Sequence, residues 1–258
     1  MMENRLIVIT GPTACGKTTF AAHLAAAIDG EIISADSRQV YRRMDIGTGK
    51  DLKDYDVTIN DNGNDKKTIH IPYHLIDIAE PGTIYNVYQY QHDFHVTYND
   101  ILKRGRTPIL CGGTGLYIES ILKAYTFDGR DCPPIDSIVF ALSIDRDLRR
   151  ERISQRLKAR MDEGMVEEVK ALIDSGVSTE RLIRYGLEYK YITLYLLGEL
   201  SYEDMYNKLE IAIHQFAKRQ MTWFRGMEER RNIPIKWIDS QLPTEEKIKI
   251  VKKTINND

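Results

Sequence analysis

Short apolar runs alternate with amphipathic stretches along the first half of the chain. Unbroken apolar runs separated by helical patterns are typical of strands that are buried on both faces of a parallel sheet. The pattern therefore predicts an α/β fold, in which helices flank a parallel sheet. The predicted strands are Leu6–Thr10, Glu31–Ala35, His74–Ile78, Thr107–Cys111, Ile138–Ile144 and Ile235–Ile238.

Apolar residues at a spacing of three to four predict the helices, and a period of two predicts one hairpin. Val57–Ile71 alternates apolar and polar residues around Asn62-Gly63, a pair that favours a tight turn. The predicted helices are Tyr88–Arg104, Leu116–Lys123, Leu148–Ser175, Tyr202–Arg231 and a Lys-rich, frayed Glu245–Asp258. We expect three parts: residues 1–145 as the first part of the core, 146–232 as an appended helical region, and 233–258 as the last core strand and tail.

Charge, cysteine content and the lack of long apolar runs bear on where the protein works and what it binds. The net charge of −2 gives no global signal for nucleic acid, and three cysteines without a C-x-x-C pair suit a reducing cytosol. Because no signal peptide and no apolar run of membrane length are visible, we expect a cytoplasmic protein that does not contact a membrane. We also expect a monomer. Charge is uneven, however: residues 146–160 hold seven Lys and Arg against two acids.

Gly11–Thr18 matches G-x-x-x-x-G-K-[ST], the phosphate-binding loop, and lies between a predicted strand and a helical stretch. Its glycines let successive N–H groups face an anion, and the helix N-terminus adds positive potential. Lys17 can meet a phosphate charge, and the Thr18 hydroxyl can reach a metal ion, for which we expect Mg²⁺. The candidate phosphate ligands are Gly11, Pro12, Thr13, Ala14, Cys15, Gly16, Lys17 and Thr18.

Two further loops follow predicted strands, where open α/β sheets bind ligands. Asp36 can act there as a proton acceptor or metal ligand, or it can be the N-cap of a helix. The small-residue loop Met44–Lys50 favours the functional alternative. Gly112-Gly113 permits a close approach of backbone to ligand, and Thr114 can cap the next helix. This strand has no acidic residue at its end, unlike most triphosphate-hydrolysing P-loop enzymes.

Two basic segments are open to two interpretations. Arg149, Arg152, Arg156 and Arg160 share one face of a predicted helix, which either binds phosphates or is a solvated face. The segment His214–Arg225 mixes basic and aromatic residues, which either stack a base or belong to the core.

Together these segments resemble the tRNA dimethylallyltransferase family (isopentenyl-diphosphate:tRNA transferases), with adenylate isopentenyltransferases as relatives. The motifs stand in family order along nearly the whole chain, which is more specific than the phosphate loop alone. They are Gly11–Thr18, Ser34–Tyr41, Met44–Lys50, Tyr73–Ile78, Gly112–Tyr117 and Ala217–Gly226.

The resemblance implies a P-loop core that holds dimethylallyl diphosphate rather than ATP and transfers its five-carbon group to N6 of an adenosine near a tRNA anticodon. It implies Asp36 as general base, Lys17 and Mg²⁺ at Thr18 as neutralising groups, and Thr114 as a support for the reacting groups. His214, Lys218 and Arg219 join the loop in binding the diphosphate. By the same likeness, Asp36, Ser37 and Gln39 face the target nucleotide. The further expected tRNA contacts are Arg38 and, from the basic helix face, Arg156 and Arg160.

The chain departs from the family pattern in two ways. Family members carry a helical insertion that helps to grip the anticodon stem-loop, whereas only Ala124–Ser137 stands at that place here. His214 also replaces an arginine that contacts the diphosphate. The alternatives are therefore a dimethylallyltransferase acting on free adenylate, a small-molecule P-loop kinase suggested by the lid-like Ile144-Asp145-Arg146, or a non-catalytic RNA-binding relative.

Overall fold

The computed structural model describes residues 5–61, 65–127 and 133–257. Six strands form one parallel sheet in the order β5-β2-β6-β1-β7-β8, and β3 and β4 form an antiparallel hairpin. The strands are β1 Leu6–Thr10, β2 Gly30–Ser34, β3 Asp56–Asp61, β4 Asp65–His70, β5 Tyr73–His74, β6 Thr107–Gly112, β7 Ser137–Ser143 and β8 Ile235–Asp239. The predicted parallel α/β sheet and the hairpin are confirmed; the predicted turn residues 62–64 lie outside the described residues.

Nine helices are found in the described ranges, besides a short 3-10 helix at Leu52–Tyr55. They are α1 Lys17–Ile28, α2 Val87–Lys103, α3 Gly115–Leu122, α4 Arg146–Asp162, α5 Met165–Asp174, α6 Thr179–Arg184, α7 Leu187–Leu196, α8 Tyr202–Arg231 and α9 Thr244–Asn257. No helix among these residues is both long and apolar enough to cross a membrane.

Two predicted boundaries are wrong, each for a backbone reason. The strand expected over His74–Ile78 ends at His74, because Leu75 and Asp77 adopt positive φ angles of 61° and 56°. The helix expected over Leu148–Ser175 is two helices, because Gly164 has a φ of 100°, which a continuous helix cannot contain.

Apolar clusters lie on both faces of the sheet, and a third fills the helical region. Phe20 and Phe140 belong to one sheet face, and Tyr90 and Phe94 belong to the other. In the third cluster, side chains of α5 to α8 pack against Val40, Tyr41 and Met44 of the loop after β2. The helical region therefore shares its core with a loop of the sheet, and the predicted three-part division stays a prediction.

The long helix α8 joins the two regions. Its first half is anchored by Met205 and Leu209 in the helical cluster, and its second half by Phe224 and Met227 against the sheet. Side chains midway along α8 are consequently held over the carboxyl ends of the parallel strands. Ligands bind in open α/β sheets at this edge.

Candidate active site

The phosphate-binding loop connects β1 to α1 in a conformation that requires glycine. Gly11 has a φ of 146°, and a Cβ there would lie 2.9 Å from both Cys15 Sγ and the Leu142 carbonyl oxygen. Gly16 has a φ of 80° and is the N-cap of α1. Within the part of the chain that the structure describes, the amides of Ala14 and Gly16 donate no hydrogen bond. The loop therefore has free donors for an anion.

Lys17 stands beside this loop with almost no competing partner. Its Nζ lies 3.5 Å from the Pro12 carbonyl oxygen, at the outer limit of a hydrogen bond. A Cβ on Gly113 would be 3.6 Å from the same atom, so the amine lies between the first loop and the loop after β6. Lys17 and Thr18 both line the adjoining cavity. The ammonium group is thus available to an anion held by the loop.

Asp36 caps a turn after β2 and not a helix, so the prediction of a helix N-cap is wrong, because residues 37–40 form a turn. Its Oδ1 accepts hydrogen bonds from the backbone N–H of Arg38 at 2.9 Å and of Gln39 at 3.4 Å, as a turn cap does. Its Oδ2 has no hydrogen-bond partner among the described residues, and the side chain lines the cavity. One oxygen therefore fixes the carboxylate, and the other can accept a proton.

Thr114 links the loop after β6 to the loop after β2. Its Oγ1 accepts a hydrogen bond from the Ser37 N–H at 3.0 Å and donates one to Ser37 Oγ at 3.3 Å. Thr114 is the N-cap of α3, as expected, but its side chain makes no capping bond there. The prediction of a side-chain cap is wrong, since the hydroxyl is used to position the segment that begins at Asp36.

Gln220 of α8 is a site residue that the sequence interpretation did not single out. Its Oε1 accepts the Thr13 N–H at 2.8 Å, and its Nε2 donates to the Gly113 carbonyl oxygen at 2.9 Å. A Cβ on Gly113 would lie 2.6 Å from Nε2, so glycine is needed there for the contact. The only signal in the sequence is an amide side chain within the basic-aromatic segment. Gln220 fixes the two phosphate-side loops to each other.

A cavity of about 540 Å³ lies between these loops and helices α4, α7 and α8. Polar groups of the phosphate loop and Asp36 occupy one part of its wall. Side chains of Phe216 and Trp223 on α8 contribute to the rest, with apolar neighbours. These neighbours are Leu116, Ile153, Leu157, Met165, Leu187, Ile213 and Phe224. The cavity is large enough for a small organic ligand and combines an anion site with a hydrocarbon surface.

The arginines of α4 have different surroundings. Arg160 is buried, with its guanidinium bonded to Asp51 at 2.9 Å and to the Ile46 carbonyl oxygen. Two of its donors thus hold the loop after β2, although the side chain also lines the cavity, and its contact with tRNA stays a prediction. Arg156 lines the cavity and has no ion pair or hydrogen bond to any described residue. Burial, and then repulsion from Arg160, lowers the pKa of Arg156.

The three predicted diphosphate ligands on α8 are not equivalent. Arg219 lines the cavity, whereas His214 and Lys218 do not. Lys218 is exposed on the outer side of the helix. His214 Nδ1 is buried without a hydrogen-bond partner among the described residues, and burial lowers the pKa of the ring. Neither residue therefore faces the cavity, and their contacts with a diphosphate stay predictions.

The loop Met44–Lys50 forms part of the wall, but its lysine is structural. Lys50 Nζ is fully buried and bonds to the Tyr41 carbonyl oxygen, Asp45 and Asp77 at 2.9, 2.6 and 2.5 Å. Lys50, which favoured a functional interpretation of this loop, therefore does not line the cavity. Gly47, Thr48 and Gly49 are the residues of the loop that face the cavity.

Glu168 of α5 holds this loop from the other side. Its carboxylate accepts hydrogen bonds from the N–H groups of Asp45, Ile46 and Gly47 at 2.7–3.0 Å and from the Tyr189 hydroxyl at 2.7 Å. We expect Glu168→Ala to lower the free energy of unfolding by about 2–4 kcal/mol, because three amides lose their acceptor. Urea unfolding measures this, with the exposed neighbour Glu167→Ala as control. Equal stability of the two variants would contradict the role of Glu168.

The site as a whole defines a class of protein. A glycine-dependent anion loop at a helix N-terminus, at the carboxyl edge of a parallel sheet, belongs to the P-loop proteins that bind phosphate or diphosphate esters. Most triphosphate-hydrolysing P-loop enzymes have a metal-binding acidic residue at the end of such a strand. In this chain β6 ends in Gly112-Gly113, which carry no carboxylate. The geometry therefore favours P-loop chemistry other than triphosphate hydrolysis.

Comparison with known proteins identifies the family. The model of the IPP transferase family matches residues 39–134 and 126–227, and that of the isopentenyl transferases matches residues 4–57. The "tRNA dimethylallyltransferase 1" of Parabacteroides distasonis is 50% identical, over 100% of this chain and 99% of the relative. A "tRNA dimethylallyltransferase 2" of Bacteroides fragilis is 47% identical over 99% of both chains. The chain belongs to the IPP transferase family.

Solved structures agree with this assignment. The tRNA isopentenylpyrophosphate transferase of Bacillus halodurans has a TM-score of 0.82 and 28% identity, with 99% of this chain and 96% of that chain covered. A eukaryotic dimethylallyltransferase described as acting on tRNA has a TM-score of 0.78 and 18% identity, so it supports the fold alone.

The same comparisons locate the internal shortening. The alignment with the Parabacteroides relative spans 315 positions, although this chain has 258 residues and is covered completely. The two segments that match the IPP transferase model meet at residues 126–134. The shortening therefore lies between α3 and β7, where the sequence indicated a missing insertion.

Proposed function

We propose that the chain transfers the dimethylallyl group of dimethylallyl diphosphate to N6 of an adenosine near the anticodon of tRNA. One observation carries the proposal: a single cavity joins the anion loop, an apolar wall and a carboxylate oxygen of Asp36 that no described residue hydrogen-bonds. The names of the relatives supply the reaction class, since they are described as tRNA dimethylallyltransferases.

The phosphate loop and Lys17 are the diphosphate site in this proposal. The loop amides and the Lys17 ammonium neutralise the charge that develops as the allylic C–O bond breaks and its electron pair leaves with the diphosphate. Arg219, at the cavity wall, is the α8 residue suited to assist them. The apolar wall around Phe216 and Trp223 receives the five-carbon chain and excludes water from the cationic carbon.

Asp36 is the general base in this proposal. The N6 lone pair forms the new C–N bond, and one N6 proton passes to Asp36 Oδ2. The two backbone N–H groups on Oδ1 and the Thr114–Ser37 contacts hold the carboxylate in place. Ser37, Arg38 and Gln39 follow directly and line the same cavity, so they are the proposed contacts of the target nucleotide, with Arg156 opposite. The adenine must leave its stack to enter.

Mg²⁺ fits the loop as a diphosphate-bound ion. The described ranges hold no cluster of three His, Cys, Asp or Glu side chains suited to a metal. Thr18, at the start of α1, would be the protein ligand of an ion that keeps much of its hydration. The ion would add to the neutralisation of the leaving diphosphate.

Incubation of the purified chain with dimethylallyl diphosphate, Mg²⁺ and unmodified tRNA tests the proposal. We expect one adenosine in the nucleoside digest to gain the mass of a dimethylallyl group. A parallel reaction with AMP tests the second candidate, adenylate dimethylallyltransferase, which the shortening at residues 126–134 favours. Product with AMP alone would assign the free nucleotide as acceptor, and ATP hydrolysis without any prenyl transfer would contradict both candidates.

A further inference from the structure

Phe216 of α8 belongs to the exposed part of the cavity wall. The residue lines the cavity, yet it is 40% exposed to solvent, and Leu116 at the start of α3 is 42% exposed. Among the exposed large apolar side chains of the described residues, only these two line the cavity. The apolar wall therefore extends to the rim of the cavity, where water still reaches it.

A wall that is open at its rim does not by itself perform the task that the proposed function gives it. Phe224 and Leu157 line the same cavity and are buried, so they exclude water whether or not a ligand is bound. An aromatic ring that water reaches can shield a cationic carbon only when a ligand covers the ring. The acceptor is the second substrate of this cavity, so it is the ligand that can cover Phe216.

The surroundings of Phe216 favour a nucleobase as the cover. The guanidinium carbon of Arg219 lies 6.0 Å from the centre of the ring, which is a cation–π distance. Residues 211–227 of α8 include Lys218, Arg219 and Arg225 but no Asp or Glu, and all three cations are exposed. Exposed aromatic rings among cations bind single-stranded RNA, because the ring stacks on a base and the cations attract the backbone.

We propose that Phe216 stacks on the base next to the target adenine of the acceptor RNA. When the target leaves its stack to reach Asp36, the neighbouring base loses a stacking partner on one face. The ring of Phe216 replaces that partner at the rim, and the stacked base in turn covers the ring from water. This inference rests on the proposed function and adds a residue that positions the RNA. A free nucleotide has no neighbouring base, so the contact is specific to an RNA acceptor.

Single-turnover transfer to an anticodon stem-loop RNA, measured over a range of RNA concentrations, tests the role of Phe216. We expect Phe216→Ala to raise the half-saturating RNA concentration by about 10- to 100-fold, while the affinity for dimethylallyl diphosphate without RNA is retained. Phe216→Trp should restore RNA binding, whereas Phe216→Leu should not, because leucine keeps the apolar volume but has no flat face. The control is Ile211→Ala, exposed on the same helix outside the cavity wall, which should match the wild type.

Stem-loops with an abasic residue on the 5′ or the 3′ side of the target separate stacking from a structural effect. One of the two RNAs should bind the wild type about tenfold or more weakly, and Phe216→Ala should erase that penalty, since both changes remove the same contact. A Phe216→Leu variant that binds RNA like the wild type, or a wild type indifferent to both abasic RNAs, would overturn the inference. Loss of donor affinity with unchanged RNA affinity in Phe216→Ala would also overturn it and assign the ring to the prenyl chain alone. Absence of transfer by the wild type would instead overturn the proposed function.

Discussion

Asp36→Asn should lower prenyl transfer to RNA by about 10²- to 10⁴-fold while dimethylallyl diphosphate still binds. The asparagine keeps a side-chain oxygen for the N–H groups of Arg38 and Gln39, so the turn is preserved. What disappears is the oxygen that accepts the N6 proton. Single-turnover rates and donor titration by calorimetry measure the two effects separately.

The control for this variant is Asp174→Asn, an exposed residue at the end of α5 that pairs with Lys170. It should transfer at the wild-type rate. If Asp36→Asn loses donor affinity to the same degree as transfer, Asp36 is a binding residue and not the base. Retention of wild-type transfer would remove Asp36 from the chemistry altogether.

Lys17→Ala should weaken the complex with dimethylallyl diphosphate and slow transfer, with a combined loss of about 10²- to 10³-fold. The reason is geometric: Lys17 Nζ stands between the phosphate loop and Gly113, and its one hydrogen bond to the described residues is a 3.5 Å contact with the Pro12 carbonyl oxygen. Its removal leaves the loop amides as the main neutralising groups. Donor titration together with single-turnover transfer measures the loss.

Lys249→Ala on the exposed face of α9 is the matched loss of one positive charge, and it should leave both quantities unchanged. A salt-dependent decrease shared by the two variants would show that overall charge, and not the position of Lys17, governs donor binding. Wild-type donor affinity in Lys17→Ala would contradict the loop as the diphosphate site.

Local sequence patterns predicted the elements whose structure depends on neighbouring residues. The phosphate loop is one such element, because Gly11 and Gly16 are required by their own φ angles. The strands β1, β6 and β7 are buried apolar runs, so the order of apolar residues along the chain is enough to locate them. Even so, the end of β5 depends on the positive φ angles of two non-glycine residues, for which the sequence gives no reliable signal.

The rest of the site depends on contacts between residues distant in sequence. Gln220 joins Thr13 to Gly113 across more than a hundred residues, and Glu168 holds a loop that precedes it by a similar distance. Periodicity could place Arg156 and Arg160 on one helix face, and both line the cavity, but only packing shows that Arg160 is also bonded to Asp51. Such distinctions arise from tertiary structure and are invisible to spacing.

A crystal structure with a thiolo analogue of dimethylallyl diphosphate, grown in the presence of competing ATP, would show which ligand the phosphate loop holds. We expect the diphosphate in the Gly11–Thr18 loop, within hydrogen-bond distance of Lys17 Nζ, and the allylic carbon on the side of Asp36. A loop that is empty, or that holds the γ-phosphate of ATP while the prenyl analogue is absent, would contradict this expectation.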